Sequence, residues 1–422
     1  MNEHPKPPPV QGLEIDEALL RGLTEARSSR RGFLKASAGM VGLAPLLAAC
    51  GVAGTAASGK KNKEFDWTAW WHKQQPTTEL VFANWPYYID TSHGTHPTLD
   101  TFTKQTGIQV NYKPVINDNQ AFYAKLKPSL EQGKPTGWDI VVITNGAQLS
   151  ELIGNNWLIP LDLSQLPNFT KYASDSIKSP SYDPGNKYSV VWQSGFTGIA
   201  YSPKATQALG REPDSLADLW DPALAGHVGM MSDNTELGSI GLLHLGIEPS
   251  TSTPSDWTKA AQVLQQQKDA GIPRGYFDQG YINQLEDGNT WITQAWSGDV
   301  FLANQTGYPE LKFIVPKEGV MFWHDNMLIP VGAENPLDAL TYMNYVYEPQ
   351  VAALMANYIW YVTPVPDAKP IVASLPGGKP VADSPLVFPD QAMYNQTHTY
   401  YVYKGTDDLD QWNNTFDPII TG

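Results

Sequence analysis

Residues 79–112, ELVFANWPYYIDTSHGTHPTLDTFTKQTGIQVNY, decide the fold of this chain. Residues 80–84 form a short apolar strand, and residues 97–106 have the amphipathic pattern of a helix that ends at Gly107. Residues 108–112 then provide a second strand. A strand, a helix and a strand joined by short links predict parallel strands covered by a helix.

The same order continues along the chain. Residues 120–131 place apolar side chains at helical spacing, and residues 138–143 predict a buried strand. Further strands are predicted at 228–231, 291–296 and 312–316, and further helices at 239–245 and 257–270. No sequence repeat relates the two halves. We therefore predict an α/β protein with two lobes and a ligand cleft between them, at the carboxyl ends of the strands.

Composition excludes several classes of protein. The 422 residues include 28 Lys and Arg against 43 Asp and Glu, which gives a formal net charge of −15. Nucleic-acid binding is disfavoured, because it requires basic side chains that replace counterions around phosphates. Cys50 is the single cysteine, so neither an intramolecular disulfide nor a four-cysteine zinc site is possible.

The first fifty residues predict an export signal. Arg30 and Arg31 precede an apolar stretch at 36–49, which is typical of a signal peptide on the twin-arginine route. The stretch ends in Leu-Ala-Ala-Cys50, which resembles the lipobox of bacterial lipoproteins. We expect Cys50 to carry a lipid anchor, which would leave a monomeric body tethered outside the cytoplasmic membrane.

Aromatic and acidic residues recur after the predicted strands. Examples are WPYY at 85–88, SDNTE at 232–236, WSGD at 296–299, MFWHD at 321–325 and WYVTP at 360–364. Lys and Arg are nearly absent from these segments. Ring faces attract ammonium groups, and carboxylates accept charge-assisted hydrogen bonds from them. The set predicts a site for an organic cation.

Each member of this set has a structural alternative. Asp233 and Glu236 precede an apolar run at capping distance, so they also predict a helix N-terminus. A single tryptophan in a chain with fourteen is by default a core residue. The aromatic segment at 66–71 predicts either a membrane-interface contact or, preferably, packing against the body.

These features together resemble the spermidine/putrescine-binding family of bacterial ABC-transporter solute receptors, over residues 80 to about 388. The stretches that carry the resemblance are FANWPYYI at 82–89, TKQTGIQV at 103–110, DPGNKYSV at 183–190, SLADLW at 215–220, VPKEG at 315–319 and YVTP at 361–364.

The resemblance implies a two-lobed periplasmic-binding-protein fold that closes on a polyamine or similar organic cation and presents it to an ABC permease. It implies a receptor with no cofactor, and it places ligand-binding side chains at Trp85, Tyr88, Thr144, Asp233, Glu236, Trp296, Trp323, Asp325 and Tyr361. Asp325 corresponds to the central carboxylate. Gly146 and Pro86 depart from the family pattern beside the pocket, which leaves the identity and length of the amine open.

The same residues allow three rival interpretations. A receptor of the same fold for another organic cation or an amino-acid-derived solute stays open, although an amino acid would require an arginine that is not apparent near the cleft. A secreted glycan hydrolase with two carboxylates is a distant alternative. His93 and His96 lack further ligands, so no metal site is expected.

The predicted organisation has four parts. Residues 1–49 are the signal peptide and residues 50–78 a tether. Residues 79–194 with 324–361 form the first lobe, and residues 195–323 with 362–422 form the second.

Overall fold

The computed structural model describes residues 65–92 and 94–422. Within them the strands are β1 Glu79–Asn84, β2 Gln109–Pro114, β3 Ile140–Thr144, β4 Ser189–Tyr201, β5 Val228–Met231, β6 Pro273–Phe277, β7 Ile292–Trp296, β8 Lys312–Ile314, β9 Val320–Leu328 and β10 Thr397–His398. The helices are α1 Trp67–Trp71, α2 Pro97–Thr106, α3 Asn119–Glu131, α4 Ala147–Gly154, α5 Pro167–Tyr172, α6 Pro203–Leu209, α7 Asn234–His244, α8 Pro254–Asp269, α9 Tyr281–Glu286, α10 Ser297–Thr306, α11 Pro336–Tyr345, α12 Pro349–Ile359, α13 Lys369–Ser374, α14 Gly378–Asp383, α15 Gln391–Tyr394 and α16 Thr406–Thr421. No helix among these is long and apolar enough to cross a membrane.

The strands form a mixed sheet in the order β2-β1-β3-β9-β4-β7-β5-β6, with β8 on β4 and β10 on β9. At both ends of the order the pairs are parallel, as predicted: β1 with β2 and β3, and β5 with β6 and β7. In the middle, β4 and β9 run antiparallel to each other, and β9 also pairs antiparallel with β3. The parallel arrangement predicted from the strand–helix–strand order therefore holds within each lobe and does not extend to the centre of the sheet.

The sequence did not predict β4, and it predicted that the segment around Trp323 follows a strand when this segment is part of β9. Both β4 and β9 are buried along their whole length. A strand covered on both faces shows no alternation of polar and apolar residues, so its sequence carries no signal of period two.

These two long strands connect two hydrophobic cores. The first core contains Trp192 of β4 and Met327 of β9, and the second contains Ile199 of β4 and Met321 of β9. Each strand therefore runs from one core into the other, so that β4 and β9 join two lobes. This arrangement confirms the predicted α/β, two-lobed fold class.

Three segments meet where the strands cross. The register between β4 and β9 shifts between Val191 and Gln193, and the next residue, Ser194, forms an isolated bridge with Val362. The backbone of Ser194 donates to the Val362 carbonyl at 2.9 Å and accepts from the Val362 amide at 2.8 Å. A bulge bends the strand that carries it, so the crossing is also the place where β4 changes direction.

Two of the predicted boundaries require correction. Residues 362–422 were assigned to the second lobe, but Val365, Val372 and Phe388 are members of the first core. Residues 50–78 were assigned to a tether, but α1 packs against the body, and the Trp71 indole donates to the Pro160 carbonyl at 2.8 Å. Packing of the aromatic segment on the body was the preferred prediction, and it is confirmed.

Candidate functional site

The centre of the site is the carboxyl group of Asp325, which lies on β9 directly opposite Thr144 of β3. The Tyr88 hydroxyl donates to Oδ2 of Asp325 at 2.6 Å, and the Thr144 hydroxyl donates to Oδ1 at 2.6 Å. Only 5% of Asp325 is exposed, and this burial raises the pKa of its carboxyl to about 6. Asp325 lies within a strand, which fixes the position of its carboxyl group.

Trp323 lies two residues earlier on β9 and therefore projects from the same face of the sheet as Asp325. Its ring covers Gly195 of β4, where a Cβ atom would be 2.3 Å from the indole Cζ2. The indole nitrogen donates to the Thr197 hydroxyl at 3.1 Å. Because only glycine leaves room for the ring at position 195, the sequence of β4 fixes the orientation of Trp323.

Asp233 and Glu236 lie at the N-terminus of α7. Oδ1 of Asp233 accepts from the amides of Thr235 at 2.8 Å and Glu236 at 3.0 Å, so the predicted capping role is confirmed. Oε1 of Glu236 accepts from the Thr197 hydroxyl at 2.7 Å and from the Trp296 indole at 2.9 Å. Burial, and then the charge of Asp233, raise the pKa of Glu236 to about 7. Contact of either acid with a ligand remains a prediction.

Asp299 is a further acid that was not among the predicted site residues. It lies in the first turn of α10, immediately after β7 and Trp296. Its carboxylate accepts from the Tyr361 hydroxyl at 2.7 Å and from the Tyr281 hydroxyl at 2.8 Å, and burial raises its pKa. The WSGD segment contained the available signal, but Tyr281 had no sequence feature that pointed to this pairing.

Contacts between aromatic rings connect the surroundings of Asp325 with those of Asp299. The Tyr361 ring lies 5.8 Å from the Tyr88 ring and 5.4 Å from the Trp323 ring, measured between centroids. Tyr88 holds Asp325, and Tyr361 holds Asp299. The structure thus brings together all of the predicted site residues except one.

The exception is Trp85. It is partly buried and packs against two hydrophobic clusters of the first lobe. Its carbonyl accepts from the Tyr112 hydroxyl at 3.3 Å. Within residues 65–92 and 94–422, no hydrogen bond or ring contact joins Trp85 to the other predicted residues. Its role as a ligand-stacking ring therefore stays a prediction.

The departure at Gly146 lies where the two lobes approach each other. Gly146 precedes α4, and a Cβ atom at this position would meet one group, the methyl of Thr235 on α7, at 4.0 Å. Ala147, the next residue, packs within the second core. The space beside Gly146 is thus bounded by Thr235.

The charged side chains of the site are acidic and have no basic partner. Asp233, Glu236, Asp299 and Asp325 all have pKa values above their ordinary range, each chiefly because of burial. None of the ion pairs in the described part of the chain involves these four acids. No group of three or more metal-ligating side chains occurs in that part either. Buried carboxylates beside aromatic rings, without a basic partner, can bind an organic cation.

Known proteins share both the sequence and the fold. The family model for bacterial extracellular solute-binding proteins matches residues 98–389. A spermidine/putrescine-binding periplasmic protein of Haemophilus influenzae is 31% identical over 328 residues, which cover 77% of this chain and 87% of that protein. The spermidine/putrescine-binding periplasmic protein of Escherichia coli is 30% identical over 311 residues, which cover 74% of this chain and 83% of that protein.

Solved structures agree. A Listeria monocytogenes chain assigned to a spermidine/putrescine ABC transporter superposes with a TM-score of 0.68 at 27% identity, over 82% of this chain and 99% of that one. A spermidine/putrescine substrate-binding protein of Streptococcus pneumoniae gives a TM-score of 0.66 at 24% identity, over 81% of this chain and 98% of that one. The second likeness concerns the fold alone.

Proposed function

Because this chain belongs to the bacterial extracellular solute-binding protein family, we propose that it binds a linear polyamine outside the cytoplasmic membrane and delivers it to an ABC importer. The names of the two relatives described above state that they bind spermidine and putrescine. They are solute-binding proteins and not enzymes, which removes the support for the glycan hydrolase considered from the sequence.

One observation carries the choice of ligand. Two buried acids, Glu236 and Asp325, and two half-buried acids, Asp233 and Asp299, line the site. No Lys, Arg or His side chain of the described residues forms an ion pair with any of them. Ionised carboxylates in such surroundings are costly unless a cation pairs with them. A polyamine supplies two or more ammonium groups at fixed spacing along an apolar chain, and this matches acids separated by aromatic rings.

In the proposed complex the amine extends between Trp85, Trp296 and Trp323. Its ammonium groups pair with Asp233, Glu236 and Asp325, and Asp299 adds a fourth carboxylate to the set. Thr144, Tyr88 and Tyr361 hold the acids in place through their hydroxyls and rings. Neutral analogues bind far more weakly, because they leave carboxylates desolvated and unpaired.

Release requires the lobes to separate. In our proposal β4 and β9 act as the hinge, with the bulge before Gln193 as its most deformable point. The lobe boundaries follow the crossing of these strands at about residues 194 and 324, with residues 365–388 moved to the first lobe on account of their packing. A membrane permease would recognise the closed form, and an ATPase elsewhere would supply the energy.

The route to the membrane is also proposed from sequence. Residues 1–49 act as a twin-arginine signal peptide, and Cys50 carries the lipid that anchors a monomeric receptor. Arg30, Arg31 and Cys50 all lie outside the described residues, as do most of the tether and His93.

Calorimetric titration tests the proposal. The protein from residue 51 onward, which keeps α1, would be titrated with putrescine, spermidine and spermine. One-to-one binding of an amine, with no heat from 1,4-butanediol, is the expected result. Butanediol is the matched control because it has the length of putrescine without its charges. Folded protein that gives no heat with any amine would contradict the proposal and direct the search to other organic cations that suit Gly146 and Pro86.

A further inference from the structure

Gln193 belongs to the same face of the sheet as the central carboxylate. It lies on β4 directly opposite Asp325, just as Thr144 of β3 lies opposite Asp325 on the other side. Directly opposite residues of antiparallel strands project from the same face. The next residues of β4 on that face are Gly195, beneath the Trp323 ring, and Thr197, which holds Glu236. The side chain of Gln193 therefore points toward the acids of the site.

The amide of Gln193 is buried and has no partner. Its exposed fraction is 0%, and neither Oε1 nor Nε2 forms a hydrogen bond with any described residue. Buried amides are paired in the great majority of native structures, because an unpaired one costs free energy. The register shift immediately before Gln193 places this residue, and not Trp192, directly opposite Asp325.

Asp325 alone does not satisfy a primary ammonium group. Each of its two oxygens already accepts a hydrogen bond from one hydroxyl, that of Tyr88 or that of Thr144. A carboxylate offers about four acceptor sites, so about two remain. An ammonium group has three N–H donors, and the amide oxygen of glutamine is an acceptor that adds no charge. An acceptor beside Asp325 is therefore the chemistry that is missing at this end of the site.

We propose that Gln193 contacts the ligand and, together with Asp325, binds one primary ammonium group of the amine. This inference rests on the proposed function, and it adds a residue that sets ligand specificity. It also explains why the structure retains a polar side chain at a fully buried position of a crossing strand.

The test compares ligand affinity with stability in Gln193→Leu and Gln193→Met, two apolar replacements of similar size. We expect the Kd for putrescine to rise about tenfold or more in both variants, because hydrogen bonds to charged groups are the stronger ones. We expect the urea midpoint of the ligand-free protein to stay the same or rise, because an unpaired buried amide has been removed.

Gln267→Leu is the matched control. Gln267 is also buried, and its Nε2 donates to the Leu219 carbonyl at 2.7 Å in the second lobe. We expect this variant to have a lower urea midpoint and an unchanged Kd.

Three results would overturn the inference. An unchanged Kd in both Gln193 variants would show that the amide makes no contact with the ligand. A weaker Kd accompanied by a lower midpoint in both would show that Gln193 supports the fold. If the wild-type protein binds none of the amines, the proposed function itself fails and the inference fails with it.

Discussion

Replacement of Asp325 by asparagine removes the central charge and keeps the shape of the side chain. The carboxyl has a pKa of about 6 against an ordinary value of 3.8, because it is buried. This difference corresponds to about 3 kcal/mol of destabilisation when the group is ionised. Asparagine presents one acceptor oxygen to the hydroxyls of Tyr88 and Thr144 where aspartate presents two, and the lost hydrogen bond costs about 1 kcal/mol.

The effect of Asp325→Asn on the free energy of unfolding depends on pH. A carboxyl whose pKa is raised by folding binds more protons in the native state, so wild-type stability falls as pH rises from about 4 to about 6. At pH 7.5 and without ligand, Asp325→Asn should therefore be more stable than wild type by about 2 kcal/mol. At pH 3, below the pKa of this carboxyl in both the folded and the unfolded state, the variant should be less stable by about 1 kcal/mol because of the lost hydrogen bond.

Urea denaturation at the two pH values and at constant ionic strength measures this reversal of sign. Calorimetry at pH 7.5 measures the second consequence, a Kd for the amine that rises about a hundredfold or more when a buried charge loses its partner. The reasoning is refuted if the variant is less stable at both pH values, or if it binds the amine as tightly as wild type does.

Three further predictions follow from the same contacts. Amine affinity should increase at least about tenfold from pH 5 to pH 8, because the carboxyls of Glu236 and Asp325, with pKa values of about 7 and about 6, must ionise to pair with the amine. A Kd that calorimetry finds unchanged between the two pH values would contradict this. Gly195→Ala should raise the Kd about tenfold, because its Cβ would displace the Trp323 ring; a crystal structure with the ring unmoved and a wild-type Kd would disprove it. Asp183→Ala should lower the free energy of unfolding by about 3 kcal/mol, because the carboxylate accepts hydrogen bonds from three backbone amides of residues 187–189. These residues lie outside the site, so the Kd should change less than about twofold. An unaltered urea midpoint would refute this.

Much of the site was accessible from the sequence because its residues follow strands that have a clear local pattern. Thr144 follows a short buried run, and Asp233 has a capping pattern that the structure confirms. Apolar periodicity alone predicted the helix only from residue 239, whereas α7 begins at Asn234, directly after the Asp233 cap. Polar residues in the first turn of a helix lack the apolar periodicity by which helices are recognised.

Partners far apart in the chain were not accessible. Asp299 is held by Tyr281 and Tyr361, and the separation of 62 residues between Tyr361 and Asp299 leaves no pattern to read. No local sequence pattern marks Gln193 as a site residue. Only the register of β4 against β9 places it beside Asp325.

The sequence by itself determined the α/β class, the two lobes and the acidic, aromatic character of the site, because these depend on composition and on local periodicity. The tertiary structure decided the antiparallel centre of the sheet, the assignment of residues 365–388 to the first core, and the pairing of each acid with its hydroxyl donors. The physical reason is that strand register and long-range hydrogen bonds are fixed by packing between segments, which no single segment encodes.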